Sequence, residues 1–308
     1  MIRYIITLNL LTDKMSSLFR GTGVALVTPF EDSFRVDYNG LGKLLAYNAE
    51  NGVDYFVVLG TTGESPTISS EEKKEVLRYV KENNPRKLPI VYGIGGNNTL
   101  EVIDQIKNTD FDGVDGLLSV SPYYSKPSQA GIINHYQMIA DACPVPVILY
   151  NVPGRTASNL TSATTLKLAE HPNITGIKEA SGNLHQCLEI ASKKPDDFLL
   201  ISGDDMLTVP LIGLGGVGVI SVMANAFPAL FKKLTHGALN GDTSVYTQAM
   251  HQLSPMHSLM YKESNPTGIK QVLKEIDICG PLVRPPLLPA SPQLTDEIKA
   301  VLKEMNWQ

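Results

Sequence analysis

The sequence has few cysteines, and they are arranged neither as a metal site nor as a disulfide framework. The 308 residues include only three, Cys143, Cys187 and Cys279, which lie far apart and are odd in number. No two of them have the short spacing of a zinc site or of a redox-active pair. A chain of this kind fits a reducing compartment, so we predict a cytoplasmic protein.

The sequence also lacks a cluster of basic residues and a long apolar run. Its formal net charge is −5 and no block of lysines and arginines occurs, so we predict no nucleic-acid binding. No apolar run approaches the ~18 residues of a membrane-spanning helix, so we predict no membrane association. The apolar start runs directly into Asp13-Lys14 without a small-residue cleavage site. We interpret residues 1–17 as a disordered extension or a misassigned start, with Met15 as the favoured beginning.

No pattern of ligands for a metal ion or a dinucleotide is present. The six histidines are scattered, and Asp204-Asp205 has no third carboxylate or histidine patterned with it. Gly213-Leu-Gly215-Gly-Val-Gly218 matches a dinucleotide fingerprint but precedes a predicted strand, whereas the fingerprint requires a strand, a turn and then a helix. We therefore predict no metal and no dinucleotide cofactor.

Short apolar runs alternate with helical patterns along most of the chain. Helices are predicted, for example, at Gln129–Ala142 and after the capping box Ser69-Ser-Glu-Glu72. Eight such strand–helix units predict an α/β fold of the (β/α)8 TIM-barrel type, which takes ~250 residues. The strand candidates are almost continuously apolar, as expected of strands covered on both faces: Gly23–Thr28, Tyr55–Leu59, Ile90–Ile94, Gly116–Val120, Val145–Tyr150, Ile174–Lys178, Phe198–Ser202 and Val217–Ser221.

The end of the chain exceeds what one barrel needs. We predict that residues 18–240 form the barrel and that residues 241–308 form a C-terminal helical region packed on it. The extra helices are predicted at Thr243–Lys262, Thr267–Ile276 and Thr295–Met305. Gly280–Pro292 contains five prolines and is predicted to be a loop.

Polar residues follow several of the predicted strands, where a (β/α)8 barrel carries its active site. The second strand is followed by Thr61 and Thr62, flanked by glycines, and the fourth by Tyr123 and Tyr124. The fifth, sixth and seventh strands lead to a further group, namely Tyr150, Arg155, Lys178 and Gly203. We therefore expect these side chains to share one rim.

Lys178 is the residue in this set with the most reactive chemistry. In a confined site, desolvation favours the neutral amine, which attacks a carbonyl to form a Schiff base, although most lysines are solvated surface charges. The two threonines can bind a carboxylate or form a plain turn, and Arg155 can bind a second carboxylate or join a loop salt bridge. Each tyrosine can transfer a proton or serve as a half-buried aromatic. Together the set suits carbon–carbon bond chemistry on a 2-oxo acid.

Four motifs follow one another along the chain: Gly60-Thr-Thr-Gly-Glu64, Pro122-Tyr-Tyr124 with Lys126-Pro127-Ser128, Tyr150-Asn-Val-Pro-Gly-Arg-Thr156 and Gly176-Ile-Lys-Glu-Ala-Ser-Gly182. In order and spacing they resemble the dihydrodipicolinate synthase family within the N-acetylneuraminate lyase superfamily of pyruvate-dependent aldolases, and the resemblance covers about residues 18–308. It implies a lyase that condenses pyruvate with L-aspartate 4-semialdehyde to 4-hydroxy-tetrahydrodipicolinate, on the route to diaminopimelate and lysine. It also implies a homotetramer built as a dimer of dimers.

The resemblance implies roles for four catalytic residues. Lys178 would form the Schiff base with pyruvate, so that no separate cofactor is needed. Tyr150 would orient the substrate and protonate it. Thr61 would link Tyr150 to Tyr124, and Tyr124 would complete the proton relay by reaching into the site of a neighbouring subunit.

Four further residues would bind the substrates on the same grounds. Thr62, with Thr61, would meet the carboxylate of pyruvate. Arg155 would meet the carboxylate of the portion derived from the semialdehyde. Gly203 and Ile220 match positions that contribute backbone groups.

Two other functions stay open at this point. A retro-aldol lyase of a sugar acid, such as N-acetylneuraminate or a 2-keto-3-deoxy acid, would share Lys178 and Tyr150. Such lyases usually lack the arginine of the Val-Pro-Gly-Arg-Thr context, so Arg155 and the pair Tyr123-Tyr124 favour the synthase. A protein that only binds pyruvate-like acids is disfavoured, because binding alone needs no amine nucleophile.

The resemblance extends to a regulatory site for L-lysine at a subunit interface. Two positions that are histidines in some lysine-sensitive members are Ser70 and Lys73 here, and a lysine side chain would repel a lysine ligand. We therefore predict weak or absent inhibition. The residues that match the site are Ser65, Asn97, Glu101 and Tyr123.

Overall fold

Eight parallel strands follow one another around a closed barrel in the computed structural model, which describes residues 18–307. The (β/α)8 fold predicted from the alternating pattern is therefore confirmed. The predicted N-terminal extension, residues 1–17, lies outside the described residues. The strands are β1 (Gly21–Ala25), β2 (Tyr55–Val58), β3 (Ile90–Gly93), β4 (Gly116–Val120), β5 (Val147–Asn151), β6 (Ile174–Glu179), β7 (Leu199–Ser202) and β8 (Gly218–Ser221).

Helices fill every connection between consecutive strands, and more helices follow the last one. Four helices follow β8, and the last three correspond in order to the three predicted C-terminal helices, with ends that differ by up to three residues. The helices are α1 (Tyr38–Glu50), α2 (Ser70–Glu82), α3 (Thr99–Lys107), α4 (Gln129–Ala142), α5 (Pro153–Thr156), α6 (Ser162–Leu168), α7 (Leu184–Ala191), α8 (Thr208–Gly213), α9 (Pro228–Leu239), α10 (Thr243–Tyr261), α11 (Thr267–Glu275) and α12 (Pro292–Glu304). Within residues 18–307, no helix combines the length and the apolar character that crossing a bilayer requires.

The capping box predicted before α2 is present in both directions. The backbone N–H of Glu72 donates to Ser69 Oγ at 3.2 Å, and the N–H of Ser69 donates to Glu72 Oε2 at 3.0 Å. Two N–H groups that a helix start leaves without an intrahelical partner are thereby satisfied. A local sequence signal therefore sets the beginning of this helix.

β1 is the strand whose predicted bounds differ most from the structure. It ends at Ala25, although Leu26–Thr28 are also buried. The N–H of Val27 donates to the side-chain Oδ1 of Asn225 at 3.1 Å, so a side chain replaces the neighbouring strand as its partner. Apolar character marked the buried stretch correctly, but it could not show where the strand hydrogen bonds end.

The chain divides into two compact units. The first contains residues 94–220 and the described chain up to Gly21; in it β4, β5, β6, β7 and β8 pair in sequence order. The second contains residues 22–93 and 221–307, with β1, β2 and β3 paired in parallel and the helices α9 to α12. The predicted domain boundary at residue 240 stays a prediction.

All three cysteines are free thiols shielded from solvent to different degrees. Cys143 and Cys187 are buried, and Cys279 is partly buried. Burial raises the pKa of the Cys143 thiol to about 11 and that of the Cys187 and Cys279 thiols to about 12. These residues therefore carry almost no thiolate, the reactive form, at neutral pH.

Candidate active site

Lys178 and Tyr150 lie side by side at the carboxyl ends of two neighbouring strands. They are register partners on β6 and β5, and Lys178 Nζ lies 4.4 Å from the centre of the Tyr150 ring. Their exposed fractions are only 5% and 6%. The described residues provide no salt-bridge carboxylate for this lysine. A buried amine beside a phenol is the arrangement that Schiff-base formation with proton transfer requires.

Gly203, which follows β7, gives the Lys178 side chain the space that it occupies. A Cβ at this position would lie 3.0 Å from Lys178 Cε and 2.7 Å from the Cβ of Ala180. The glycine is therefore needed for packing beside the lysine stem. Ile220, the other predicted backbone contributor, is fully buried on β8 in the same unit.

Arg155 and Tyr124 lie on exposed connections of this unit. Arg155 is on the one-turn helix α5, four residues after the end of β5. Tyr124 is 89% exposed, and its φ of 69° is unusual for a residue other than glycine. The described chain holds neither side chain against Lys178, so their predicted roles stay predictions.

The two predicted threonines lie on a tight turn in the second unit. Thr61–Gly63 form a single 3-10 turn after β2, and the flanking residues Leu59 and Glu64 both have a φ of 56°. Thr62 is buried, whereas Thr61 is partly exposed. Asn265 donates through Nδ2 to Thr62 Oγ1 at 3.1 Å, which leaves the Thr62 hydroxyl proton free to point elsewhere.

A buried ion pair holds the end of the same turn. Lys270 Nζ donates to Glu64 Oε1 at 2.5 Å and to the carbonyl of Leu282 at 2.7 Å. The other carboxylate oxygen of Glu64 accepts the backbone N–H of Arg284 at 2.9 Å. Residues after α10 therefore fix Glu64, and a sequence reading missed them because they are about 200 positions away from it.

The residues that match a lysine site occur in both units. Asn97 and Glu101 are exposed at the start of α3, and Tyr123 is exposed after β4. Ser65 begins a second 3-10 turn after β2, and Ser70 and Lys73 lie on α2. The predicted weak inhibition by L-lysine stays a prediction.

The two motifs set aside in the sequence have structural roles here. Asp204 Oδ1 accepts the backbone N–H groups of Met206 and Leu207, as in a turn. Gly218 lies so close to the backbone of Gly21 that a Cβ would be 2.0 Å from its carbonyl oxygen. Close packing therefore accounts for a glycine at the end of the fingerprint-like segment.

Sequence reasoning did not single out Glu179 and Asn151, the neighbours of Lys178 and Tyr150. Both are buried, and Asn151 Nδ2 donates to the Glu179 carboxylate at 3.0 and 3.2 Å. Residues that alternate with active-site residues on a strand point to its other face. That alternation was the available signal, because it places two polar side chains where apolar ones are expected.

The fold and the pair Lys178–Tyr150 define a class of protein: a (β/α)8 barrel with a buried amine beside a phenol at the carboxyl ends of its strands. Comparison with known proteins is more specific. Residues 18–305 match the model of the Dihydrodipicolinate synthetase family, and the chain belongs to that family. The resemblance carried by the four sequence motifs is thereby confirmed.

Individual relatives agree with this assignment. The 4-hydroxy-tetrahydrodipicolinate synthase of Cytophaga hutchinsonii is 50% identical over 281 residues, which cover 91% of this chain and 95% of the relative. A solved structure of a monomeric dihydrodipicolinate synthase variant has a TM-score of 0.91 and 34% identity, covering 95% of this chain and 99% of that one. The dihydrodipicolinate synthase of Acinetobacter baumannii complexed with pyruvate has a TM-score of 0.90 and 36% identity, covering 93% and 99%.

Proposed function

We propose that this chain condenses pyruvate with L-aspartate 4-semialdehyde to give 4-hydroxy-tetrahydrodipicolinate, in the biosynthesis of diaminopimelate and lysine. It is a lyase-type enzyme of its family. The observation that carries the proposal is the 50% identity, over nearly the whole chain, to a relative with this activity. The sugar-acid lyase is disfavoured, because the relatives and solved structures described above are synthases.

The chemistry starts at Lys178. Its neutral amine attacks the ketone carbon of pyruvate, and loss of water gives a Schiff base. Loss of a proton from the methyl carbon then gives an enamine, whose carbon bonds to the aldehyde carbon of the second substrate. The amino group of that substrate finally displaces the lysine amine and closes the ring, which frees the enzyme. The covalent bond to Lys178 makes a separate cofactor unnecessary.

The other residues assist in binding and in proton transfer. The Tyr150 hydroxyl passes protons to and from the bound intermediate, since its ring lies against the Lys178 amine. Thr61 links Tyr150 with Tyr124, and Thr62 binds the pyruvate carboxylate. Arg155 binds the carboxylate of the semialdehyde.

Gly203 and Ile220 contribute backbone groups to the site. The N–H of Gly203 donates to the carbonyl of Glu179 at 2.8 Å, so a contact with substrate would come from the carbonyl of Gly203. Ile220 would contribute a backbone group from β8. Both contacts direct the substrate without adding a charge.

Assembly, compartment and regulation belong to the same proposal. The chain forms a homotetramer, a dimer of dimers, in the cytoplasm, and Tyr124 enters the site of a neighbouring subunit. Ser65, Asn97, Glu101 and Tyr123 form an effector site at which L-lysine inhibits weakly or not at all. A steady-state assay with added L-lysine tests this last point, and strong inhibition at low concentration would contradict it.

An acceptor assay tests the main proposal. Enzyme, pyruvate and aspartate semialdehyde are mixed, and loss of NADPH is followed through added dihydrodipicolinate reductase. We expect rapid loss with the wild type and none with Lys178→Ala, because the nucleophile is missing. Lys167→Ala, which removes an exposed lysine paired with Glu170, serves as the matched control and should be as active as the wild type.

Borohydride trapping distinguishes the alternatives. Borohydride reduces a Schiff base to a permanent adduct, so pyruvate should add to the wild type and not to Lys178→Ala. A protein that traps pyruvate but consumes no semialdehyde would be an aldolase of another acceptor. A protein that traps none would not use this amine at all.

A further inference from the structure

The carboxylate next to the proposed nucleophile is buried, and no residue between 18 and 307 forms a salt bridge with it. Glu179 follows Lys178 on β6 and is only 3% exposed. Adjacent residues on a strand point to opposite faces, so this carboxylate lies behind the face that carries Lys178. Among residues 18–307, every hydrogen-bond donor to it is neutral. Burying a carboxylate in this way is costly unless its oxygens are well satisfied, which points to a specific role.

The donors come from three parts of the same unit. Asn151 Nδ2, at the end of β5, donates to both oxygens at 3.2 and 3.0 Å. The N–H of Ser181, just after β6, donates to Oε1 at 2.7 Å. Gln186 Nε2, on α7, donates to Oε2 at 2.9 Å. The carboxylate therefore joins two strand ends and the following helix.

The same network reaches the far end of the connection that carries Arg155. Asn151 Nδ2 also donates to Asn159 Oδ1 at 2.8 Å, and Asn151 Oδ1 accepts the N–H of Leu160 at 3.0 Å. Asn159 Nδ2 donates to Gln186 Oε1 at 2.8 Å, and Gln186 Nε2 donates to the carbonyl of Leu160 at 3.0 Å. The connection formed by residues 152–158 thus has the network at both of its ends, since it starts after Asn151 and ends before Asn159.

We infer that Glu179 is a positioning residue, which holds both ends of the Arg155 connection to the strand that carries Lys178. The inference rests on the proposed function, because it assigns pyruvate to Lys178 and the carboxylate of the semialdehyde to Arg155. Arg155 itself is exposed on a single helical turn, so its own surroundings do little to fix it. The register of β5 and β6, which pairs Asn151 with Glu179 and Tyr150 with Lys178, transmits the position of the network to the reacting residues.

Only a carboxylate fits the donors around this position. Glu179→Gln keeps the shape of the side chain but replaces one acceptor oxygen with an N–H2 group. That group would face an N–H donor, so at least one buried donor would lose its partner. The connection should then shift relative to Lys178, while Lys178 and Tyr150 keep their own strand pairing.

The test separates the two substrates of the condensation. With Glu179→Gln, we expect the KM for aspartate semialdehyde to rise about 10- to 100-fold, since small misplacements of a binding group have effects of this size. The rate and extent of borohydride trapping of pyruvate should stay within about 3-fold of the wild type, a smaller change than any expected from misplacing the binding group. A merely structural defect would instead lower the fraction of active enzyme and leave both KM values unchanged.

A control and a double-mutant cycle make the result specific. Asn173→Ala removes a side-chain amide that donates to the carbonyls of Ala140, Cys143 and Val145. These contacts lie just before the first residues of β5 and β6, at the ends of the strands opposite to Lys178 and Tyr150. It should lower stability without changing the ratio of the two KM values. In an Arg155→Ala background, Glu179→Gln should raise the KM for the semialdehyde no further, because it acts through Arg155.

A second change offers rescue. In the double variant Asn151→Asp with Glu179→Gln, the carboxylate moves to the other partner. Reversal of the terminal amides of Asn159 and Gln186 then restores the side-chain pairs of the network, while the carbonyl of Leu160 loses its donor from Gln186. We expect the KM for the semialdehyde to return part of the way to the wild-type value. If Glu179→Gln does not fold, Asn159→Ala decides, since it breaks the far link without altering the buried charge and should give the same selective rise, smaller in size.

The outcomes are distinct. A wild type that consumes no semialdehyde would remove the proposed function. An active wild type with a selective, Arg155-dependent rise in Glu179→Gln supports the positioning role. An unchanged KM in Glu179→Gln, a rise that persists without Arg155, or equal effects on both substrates would overturn it.

Discussion

Lys270 shows how a single charged residue can be held in the interior. Its side chain is fully buried, and its ammonium group contacts Glu64, the carbonyl of Leu282 and the ring of Phe30, whose centre is 4.1 Å away. Burial lowers the pKa of this ammonium group, while the charge of Glu64 acts in the opposite direction. Loss of either partner would therefore leave the other charge buried and unpaired.

Removing one partner should be much more damaging here than at the surface. Lys270→Met leaves the Glu64 carboxylate buried and unpaired, and we expect it to lower the free energy of unfolding by about 3–5 kcal/mol. Lys299→Met, which removes an exposed cation paired at 3.8 Å with the partly buried Glu275, should change it by less than ~1 kcal/mol. Urea denaturation followed by circular dichroism measures both. If both variants lost the same free energy of unfolding, burial of the Lys270–Glu64 pair would not make the protein more sensitive to loss of the lysine.

At this scale the sequence predicted reactive residues better than their supports. Lys178 and Tyr150 could be found because each ends a recognisable apolar run, where a barrel carries its active site. Asn265 and Lys270 could not, because their partners are distant in sequence. Glu179 was missed, although a polar residue on the face that alternation assigns to the core was a signal. Strand endings are local information, whereas hydrogen-bond partners depend on the finished packing.

The start of helix α2 depends on the carboxylate of Glu72, which accepts hydrogen bonds from two parts of the chain. Glu72 accepts the N–H of Ser69 in the capping box, and it also accepts two N–H groups of the Arg284 guanidinium. The bidentate bond to Arg284 lowers the pKa of the Glu72 carboxyl from 4.5 to about 2. A loop residue near the end of the chain thereby stabilises the first turn of this helix.

The stability of the protein should consequently depend on pH through Glu72. Because the folded-state pKa is lower than the unfolded one, the contribution is complete above about pH 4.5 and is lost as the pH falls toward 2. Denaturation of the wild type and of Glu72→Gln between pH 6 and pH 3 tests this. The difference in stability between them should shrink as the pH falls.

Glu71→Gln is the matched control for that measurement, because it removes an exposed carboxylate from the adjacent position of the same helix. It leaves the Glu72–Arg284 contact intact and therefore controls for the loss of a carboxylate at the start of the helix. A difference for Glu72→Gln that does not shrink as the pH falls would contradict the assignment of the acid dependence to the Arg284 contact.

The bounds of elements could be predicted where local chemistry sets them. The bounds of α4 and the cap of α2 match the sequence pattern, since apolar spacing and a capping box are local signals. The predicted bounds of β1 were wrong, because the hydrogen bonding at its end depends on Asn225, about 200 residues away. The one-turn helix α5 was not predicted, because four residues are too few to show a helical period.

For the whole molecule, repetition made the barrel predictable. Eight similar strand–helix units leave few alternatives to a closed parallel sheet, whereas nothing in the sequence gives the assembly of several chains directly. The exposure of Tyr124 bears on that assembly, because a large aromatic side chain that is 89% exposed in one chain is suited to a partner surface. The monomeric variant among the similar structures shows that assembly in this family calls for a direct test.

Subunit complementation tests whether Tyr124 acts in a neighbouring chain. Lys178→Ala and Tyr124→Phe should each be inactive or nearly so when pure. If Tyr124 acts in trans, random mixing of dissociated chains should restore about a quarter of wild-type activity, since half of the dimers are hybrids with one intact site. Mixing Lys178→Ala with Lys178→Ala,Tyr124→Phe is the control. No recovery in the first mixture would place the tyrosine in its own subunit's site, whereas an active pure Tyr124→Phe variant would place it outside the relay.

The burial of the three thiols makes the natural chain suitable for fluorescent labelling. A maleimide dye reacts with thiolate, and Cys143, Cys187 and Cys279 carry very little of it at neutral pH. One engineered cysteine on the surface would therefore accept a dye selectively, without prior removal of the native residues. Two differently labelled batches of the otherwise unaltered protein could then report the exchange of chains by energy transfer.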